Sequence, residues 1–202
     1  MKTLKYLFVF LSIFLFSSCL VRTIHPLFKN DETVFEPKLI GKWMNKDSSE
    51  IWEFSKYISK DTSKEQNLFR IQIVDSSENI NKDTSIFLGM TGKLGKHLFL
   101  VKVIDGDELV KKCQLGLKET NQLIFTFIFY KVIFRNDSLC LAEMDKEWFN
   151  KNRNKFRIGT VPGDGDGYIT ITSKTKDLQK FVKKYANDKQ AFPERDFLHK
   201  VD

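Results

Sequence analysis

The stretch QLIFTFIFYKVIF, residues 122–134, decides the fold class because it is apolar on both faces of an extended strand. Successive side chains of a strand point to opposite faces, so Phe127 and Phe129 share one face while Ile128 and Tyr130 share the other. A strand with one face in water alternates polar and apolar residues instead. We therefore expect a packed core on one face of this strand and a covering element on the other.

The covering element that the sequence predicts is a late amphipathic helix in TKDLQKFVKKYAND, residues 175–188. Its large apolar residues recur at helical spacing and its lysines fall on the opposite side, as in helices that pack on a sheet. Thr175 or Ser173 is the expected N-cap. A shorter helix is predicted over residues 145–152, with Asp145 as its N-cap.

The chain from residue 39 onward is otherwise a series of predicted strands, rich in β-branched and aromatic residues and bounded by turn residues. Asp105-Gly106-Asp107 and Arg135-Asn136-Asp137 are typical hairpin turns. This spacing indicates a mainly β fold, either an antiparallel barrel or a sandwich, with the late helix packed outside the sheet. The predicted strands are 39–45, 50–57, 67–75, 85–91, 97–104, 108–117, 122–135, 138–143 and 167–173.

The start of the chain predicts export. Two lysines precede an apolar run over residues 6–16, which is shorter than the roughly 20 residues that a membrane-spanning helix needs. Two serines follow at 17 and 18. A charged start, an apolar middle and small residues before a cleavage site are typical of a secretory signal peptide.

Cys19 follows the two serines, and FLFSSC, residues 14–19, resembles the lipobox of bacterial lipoproteins. This resemblance implies that the chain is cut before Cys19 and that the cysteine carries fatty acids on its sulfur-linked glycerol and on its amine. Two or more acyl chains hold a protein stably on a membrane. The predicted organisation is a signal peptide over 1–18, a lipid-anchored tether over 19–37 and a single β-rich domain over 38–202.

A second resemblance concerns the fold. LIGKWMN, residues 39–45, places Gly41 and Trp43 at the start of the first predicted strand, which resembles the Gly-x-Trp signature of the lipocalins and their bacterial lipoprotein relatives. In that family the tryptophan closes one end of an eight-stranded barrel and a helix packs outside the wall. The resemblance therefore implies a lipocalin-like barrel here.

A wider likeness spans nearly the whole mature chain, which resembles a group of uncharacterised bacterial envelope lipoproteins. It implies a lipid-anchored β-rich domain and no functional residue beyond Cys19. The segments that carry it are HPLF (25–28), VFEPKLIGKW (34–43), WEF (52–54), EMDKEWF (143–149) and TSKTKDLQKFVKKYA (172–186).

One loop invites a calcium interpretation. VPGDGDGYIT, residues 161–170, alternates Asp164 and Asp166 with glycines. An EF-hand loop starting at Asp164 needs Asp or Asn at 168 and Glu at 175, and those positions hold Tyr168 and Thr175. The EF-hand is thus excluded, which leaves a looser cation site or a glycine-rich turn that enters a strand.

No motif predicts catalysis. His25, His97 and His199 form no metal-binding spacing, and the chain has no nucleophile elbow or phosphate-binding loop. We therefore expect no enzymatic activity, no metal and no cofactor. The net charge of +7 suits a solvated surface, or attraction to anionic lipid or to acidic envelope polymers, since an exported protein rarely meets nucleic acid.

Two cysteines remain besides Cys19. An oxidising compartment permits a disulfide between Cys113 and Cys140. Their predicted strands flank a third strand, however, which places them about 10 Å apart and beyond disulfide reach. We expect two separate, buried thiols.

The aromatic content suggests a function. With 19 Phe and 5 Tyr, nearly every strand has apolar inner positions, which favours a binding module whose interior accepts an apolar or amphipathic ligand. The alternative is a structural or interaction lipoprotein of the envelope, because a barrel of eight strands is narrow enough to be filled by its own side chains. The expected partners are the membrane, through Cys19, and either a ligand or an envelope protein. The lipoprotein resemblance further implies an outer-membrane position, because Leu20 rather than aspartate follows the cysteine, and we expect the domain to face the periplasm.

Overall fold

The computed structural model describes residues 21–58, 67–75, 83–104, 126–162 and 168–201. The helices are α1 (Lys146–Asn152) and α2 (Thr175–Tyr185), and short 3-10 turns span Asn30–Glu32, Pro37–Leu39 and Arg153–Lys155. The strands are β1 (Val21–Thr23), β2 (Gly41–Met44), β3 (Glu50–Lys56), β4 (Leu68–Asp75), β5 (Asp83–Leu94), β6 (His97–Ile104), β7 (Thr126–Arg135), β8 (Ser138–Glu143), β9 (Thr160–Pro162), β10 (Ile169–Ile171) and β11 (Phe197–Val201).

Eight of these strands close into an antiparallel barrel in the order β2-β3-β4-β5-β6-β7-β8-β11. Strand β11 completes the ring because it pairs with both β8 and β2. The predicted mainly β fold with a late helix outside the sheet is confirmed, and the architecture is the barrel rather than the sandwich. Full closure leaves these strands no free edge, which is how barrels avoid edge-to-edge association.

Trp43 packs at the end of the barrel where β2 begins. Its indole Nε1 donates a 2.8 Å hydrogen bond to the carbonyl of Leu39, in the 3-10 turn that leads into β2. The ammonium of Lys200 lies 5.6 Å from the centre of its ring. Trp43 and Leu39 are buried, so this end of the interior is closed in the manner of a lipocalin-like barrel.

The buried residues form two cores, one on each side of the barrel wall, and β7 contributes to both. Ile128, Tyr130 and Val132 belong to the inner core, whereas Phe129 belongs to an outer core between the wall and the two helices. The prediction that both faces of this strand are buried is confirmed for its described part. The inner core consists of Leu39, Trp43, Trp52, Phe54, Phe69, Ile71, Leu100, Ile128, Tyr130, Val132, Leu139 and Leu198.

Helix α2 covers the outer core with a buried face formed by Leu178, Phe181 and Val182. At α1, Asp145 is the N-cap as predicted, and its carboxylate accepts a 2.8 Å hydrogen bond from the backbone N–H of Trp148. Within the described ranges, no helix is long and apolar enough to span a bilayer.

The predicted caps of α2 are wrong. Its N-cap is Lys174, whose side chain makes no capping hydrogen bond. The hydroxyl of Thr175 instead donates to the carbonyl of Pro26, and that of Ser173 accepts from the N–H of Gly159. Both side chains therefore tie α2 to neighbouring segments instead of capping its first turn.

Much of the segment predicted as a tether is folded. Strand β1 pairs in parallel with β10 and antiparallel with β7. Leu27 and Phe28 are fully buried in the outer core, and the Phe28 ring lies flat over Gly92, where an added Cβ would come within 2.6 Å of it. This part of the predicted tether thus packs against the barrel from Val21 onward. Strand β1, which has three residues, was too short to give a sequence signal.

Two further strands, β9 and β11, fall where the sequence predicts no regular structure. In β11 only Leu198 is buried, so the segment lacks the alternating apolar pattern of a half-buried strand. The other predicted strands agree with the observed ones where they are described. The predicted strand 108–117 and the turn at 105–107 lie outside the described residues.

Candidate functional site

Charged side chains enter the barrel interior at the end away from Trp43. Lys102 lies two residues beyond the inner-core residue Leu100 on β6, so it faces the same way. Glu143, on β8, is directly opposite Tyr130 of β7. Together with Glu50, the first residue of β3, these residues define what we call the polar half of the barrel: Lys102, Tyr130, Glu143 and Glu50.

Three aromatic rings surround the ammonium of Lys102. Its Nζ atom lies 4.5 Å from the centre of the Phe87 ring, 5.3 Å from that of Trp52 and 5.6 Å from that of Tyr130. Trp52 and Tyr130 meet edge to face, with ring centres 5.9 Å apart. A cation within about 6 Å of a ring centre is attracted by the negative face of the ring. The arrangement is an aromatic enclosure around a positive charge.

Burial dominates the electrostatics of this group. It lowers the pKa of Lys102, and the negative charges of Glu143 and Glu50 oppose that shift. Burial raises the pKa of Glu143, while the charge of Lys102 and a hydrogen bond from the Tyr130 hydroxyl oppose the rise. Burial also raises the pKa of Tyr130 well above its ordinary value, and the Glu143 carboxylate adds to this effect. These groups therefore stabilise each other in a poorly solvated interior.

A cleft of about 780 Å³ lies at the same end of the barrel. It is lined by residues 45–47 of the β2–β3 turn, by Glu50 and by residues 196–199 at the start of β11. The side-chain oxygen of Asn45 accepts a 2.9 Å hydrogen bond from the Glu50 backbone N–H, which holds the turn over the start of β3. Glu50 thus lines the cleft and also acts electrostatically on Lys102.

The half of the interior nearer Trp43 is filled by the protein's own side chains. Phe54, Phe69, Ile71 and Leu100 are at most 1% exposed. Gly89 contributes to this packing, because a Cβ there would approach the Cδ1 atom of Ile71 to 2.5 Å. Trp52 and Tyr130 in the polar half are also buried, so the cleft beside Glu50 is where a small ligand would approach this end of the barrel.

None of the site residues predicted from the sequence is among the residues that the structure describes. Cys19, Asp164 and Asp166 are outside the described residues, as is Cys113. Cys140 is a free, buried thiol that donates to the carbonyl of Arg195 at 3.0 Å, and burial raises its pKa.

The histidines serve local contacts. His97 Nε2 and the side-chain oxygen of Asn187 are 2.9 Å apart, and His199 Nδ1 lies 3.2 Å from the Ser138 hydroxyl. In the part of the chain that the structure describes, no three His, Cys, Asp or Glu side chains are grouped to hold a metal ion.

Sequence reasoning missed the polar half entirely. One signal was available: Lys102 in HLFLVKVI and Glu143 in SLCLAE each follow an apolar residue two positions earlier, on a face otherwise committed to the core. A charged residue on an inward face is unusual because burying a charge costs free energy. This pattern does not show that β6 and β8 place the two charges beside Tyr130 in the folded chain.

Comparison with known proteins identifies no relative of this chain. No family model, no curated protein and no solved structure matches it. The geometry of the polar half and the sequence features at the start of the chain are therefore the observations that bear on function.

Proposed function

We propose that this protein is a lipid-anchored lipoprotein of the cell envelope whose barrel binds an amphipathic ligand in its polar half. The observation that carries the proposal is the ammonium of Lys102 among Trp52, Phe87 and Tyr130. Buried ion pairs add little to stability compared with apolar side chains of similar volume. Ligand pockets, in contrast, combine apolar and aromatic walls with a few placed polar groups.

The chemistry of the polar half suits a molecule with one polar end and one apolar body. Lys102 offers a cation, Glu143 and Glu50 offer acceptors, and Tyr130 offers a hydroxyl for the polar end. Trp52 and Phe87 offer apolar surface for the body. The adjoining cleft of about 780 Å³ falls within the size range of small-molecule sites.

Native mass spectrometry of protein purified from its source tests the ligand. We expect the parent chain to retain a small-molecule adduct that the Lys102→Met variant loses. Lys131→Met is the matched control, because Lys131 lies on the outward face of neighbouring β7, and it should retain the adduct. A parent chain with a clean apo mass would contradict ligand binding.

The filled half of the barrel favours a second candidate function. Phe54, Phe69, Ile71 and Leu100 leave no space in the interior near Trp43, as expected of an envelope protein with a structural or interaction role and no small ligand. The clean apo mass that would contradict the first function would favour this one.

The envelope position is supported by the signal peptide predicted over residues 1–18 and by the lipobox resemblance that ends at Cys19. In this proposal the anchor holds the domain on the outer membrane, facing the periplasm. Phase separation in detergent tests the anchor: the parent should enter the detergent phase and Cys19→Ala should stay in the aqueous phase. Cys140→Ala, which removes a buried thiol, should behave like the parent. A Cys19→Ala chain that still partitions into detergent would remove the basis for the anchor.

A further inference from the structure

Helix α2 presents a row of lysines on the side turned away from the barrel. Lys176, Lys180, Lys183 and Lys184 are exposed, and they lie opposite the face that is buried in the outer core. The exposed acid on this helix is Asp177, whose carboxylate is 3.9 Å from Lys180 Nζ. We call these four lysines the basic face.

Positive charge continues past the end of α2. The side chain of Lys183 lies beside Gly95 in the β5–β6 turn, with its Cε atom 3.8 Å from where a Cβ would stand on that glycine. Exposed Lys96 follows Gly95. The pKa of His97 is lowered first by burial and then by the charges of Lys131 and Lys96. The barrel wall beside the basic face therefore adds to its positive potential.

Basic residues also flank the side of α2. Phe156 packs on Phe181 and Tyr185, with ring centres 4.8 Å and 5.2 Å apart. This contact holds the preceding 3-10 turn, with exposed Arg153 and Lys155, beside the helix. The positive surface is thus wider than a single helix.

The start of the folded chain lies next to α2. The hydroxyl of Thr175, the first residue of α2, donates to the carbonyl of Pro26 at 2.8 Å, and the side-chain amide of Gln179, also on α2, donates to the carbonyl of Leu27 at 2.9 Å. Strand β1 begins only two residues after Cys19. Two residues of any conformation span at most about 7 Å, so a lipid on Cys19 would keep the bilayer close to this side of the domain.

We propose that the basic face rests on the surface of an anionic phospholipid bilayer, the same bilayer that holds the Cys19 anchor. This inference rests on the lipid anchor of the proposed function and is independent of any ligand in the barrel. Lysines near an anionic bilayer are attracted to it within about one Debye length. The anchor supplies a high effective concentration, so individually weak contacts suffice to orient the domain.

The test uses the lipidated chain, reconstituted by its own anchor into vesicles of phosphatidylcholine alone or with about a quarter of phosphatidylglycerol. Flotation first checks that the chain stays with the neutral vesicles. A membrane-impermeant amine reagent then labels the lysines, and peptide mass spectrometry gives the rate at each position. We expect Lys180 and Lys183 to react at least about three-fold more slowly on the anionic vesicles, and high salt to remove the difference.

Charge reversal supplies the matched control. The triple variant Lys176→Glu, Lys180→Glu, Lys183→Glu should lose the slow labelling of Lys184 on anionic vesicles. The triple variant Lys38→Glu, Lys42→Glu, Lys46→Glu should keep it. Those three exposed lysines lie on or beside β2, which is four strands from β6 in either direction around the barrel.

The outcomes separate this inference from the anchor on which it rests. Equal labelling rates on both kinds of vesicle, with the chain retained on each, would overturn the inference and leave the anchor intact. The inference would also be overturned if a soluble acidic polysaccharide slowed the labelling of these lysines and anionic vesicles did not. A chain that fails to float with neutral vesicles would contradict the anchor itself and this inference with it.

Discussion

Lys102 and Glu143 carry opposite charges on inward-facing positions of the barrel, and burial disfavours the charged form of each. Each charge reduces the free-energy cost of burying the other, and the aromatic rings around Lys102 reduce the cost of burying its ammonium further. Removing one partner leaves the other charge buried without a counter-ion, which is far more costly than removing both. The dependence of stability on pH should reveal this coupling.

We expect Lys102→Met to destabilise the fold most at neutral pH. Without the lysine, the pKa of Glu143 in the folded chain should rise further above its unfolded value of about 4.5. The folded chain then holds this proton to higher pH than the unfolded chain, so stability falls as the pH rises between the two pKa values. The loss should be about 3 kcal/mol at pH 7 and should shrink towards about pH 4, measured by urea unfolding.

The double variant Lys102→Met, Glu143→Gln serves as the control because it retains no charge on either side chain. Its stability relative to the parent should lack the steep decline between about pH 4 and pH 7. If Lys102→Met lost the same free energy of unfolding at about pH 4 and at about pH 7, the pKa of Glu143 would not depend on Lys102.

At the scale of elements, residues 21–39 behave as a strap that crosses the outer core and then enters the barrel end. The strap begins with β1, passes buried Leu27 and Phe28, and ends at Leu39 under Trp43. The sequence predicted a tether here because prolines and a lack of periodicity are typical of linkers. The buried residues are too few and too unevenly spaced to predict docking without knowledge of the groove they fill.

Phe28→Ala should destabilise the fold by about 3–5 kcal/mol, the usual cost of removing a buried phenylalanine side chain. The reason is that its ring fills the space over Gly92 in the outer core. Chemical denaturation of the parent and the variant gives the difference. His25→Ala, three residues earlier and only partly buried, should cost much less. If both substitutions had the same small effect, the strap would be a tether after all.

At the scale of the whole molecule, a five-residue strand near the end of the chain decides whether the sheet is a barrel. Strand β11 pairs with β2 on one side and with β8 on the other. Strand β11 also contributes to the interior, since Leu198 is buried in the inner core and the ammonium of Lys200 lies over the ring of Trp43. Without this strand, β2 and β8 would each expose a row of unpaired backbone groups.

Truncation after Asp196 should therefore prevent a stable monomer. The exposed edges of β2 and β8 are expected to drive association, so gel filtration should show aggregates in place of the peak that the parent gives. Truncation after Val201 removes only the final aspartate and keeps every β11 pairing, so that variant should elute like the parent. A monomeric, cooperatively unfolding chain that ends at Asp196 would refute the role of β11 in closure.

The sequence by itself determined the local structure of much of the described chain. The two-faced apolar pattern of β7, the helical spacing of apolar residues in α2 and the Asp145 cap are properties of neighbouring residues, so they predict strands, helices and buried faces correctly. The lipocalin resemblance of Gly41 and Trp43 implied that the tryptophan closes one end of a barrel, whereas the strand pattern itself left barrel and sandwich open.

Only the tertiary structure decided barrel against sandwich, the docking of the strap and the composition of the polar half. Closure depends on β11, whose own residues give almost no strand signal, and which is stabilised by two distant neighbours. The enclosure of Lys102 joins strands that are far apart in sequence, and the energetic effect of a charge depends on what surrounds it. Local patterns carry no information on such non-local contacts, which is the physical reason that the candidate site appeared only in the folded chain.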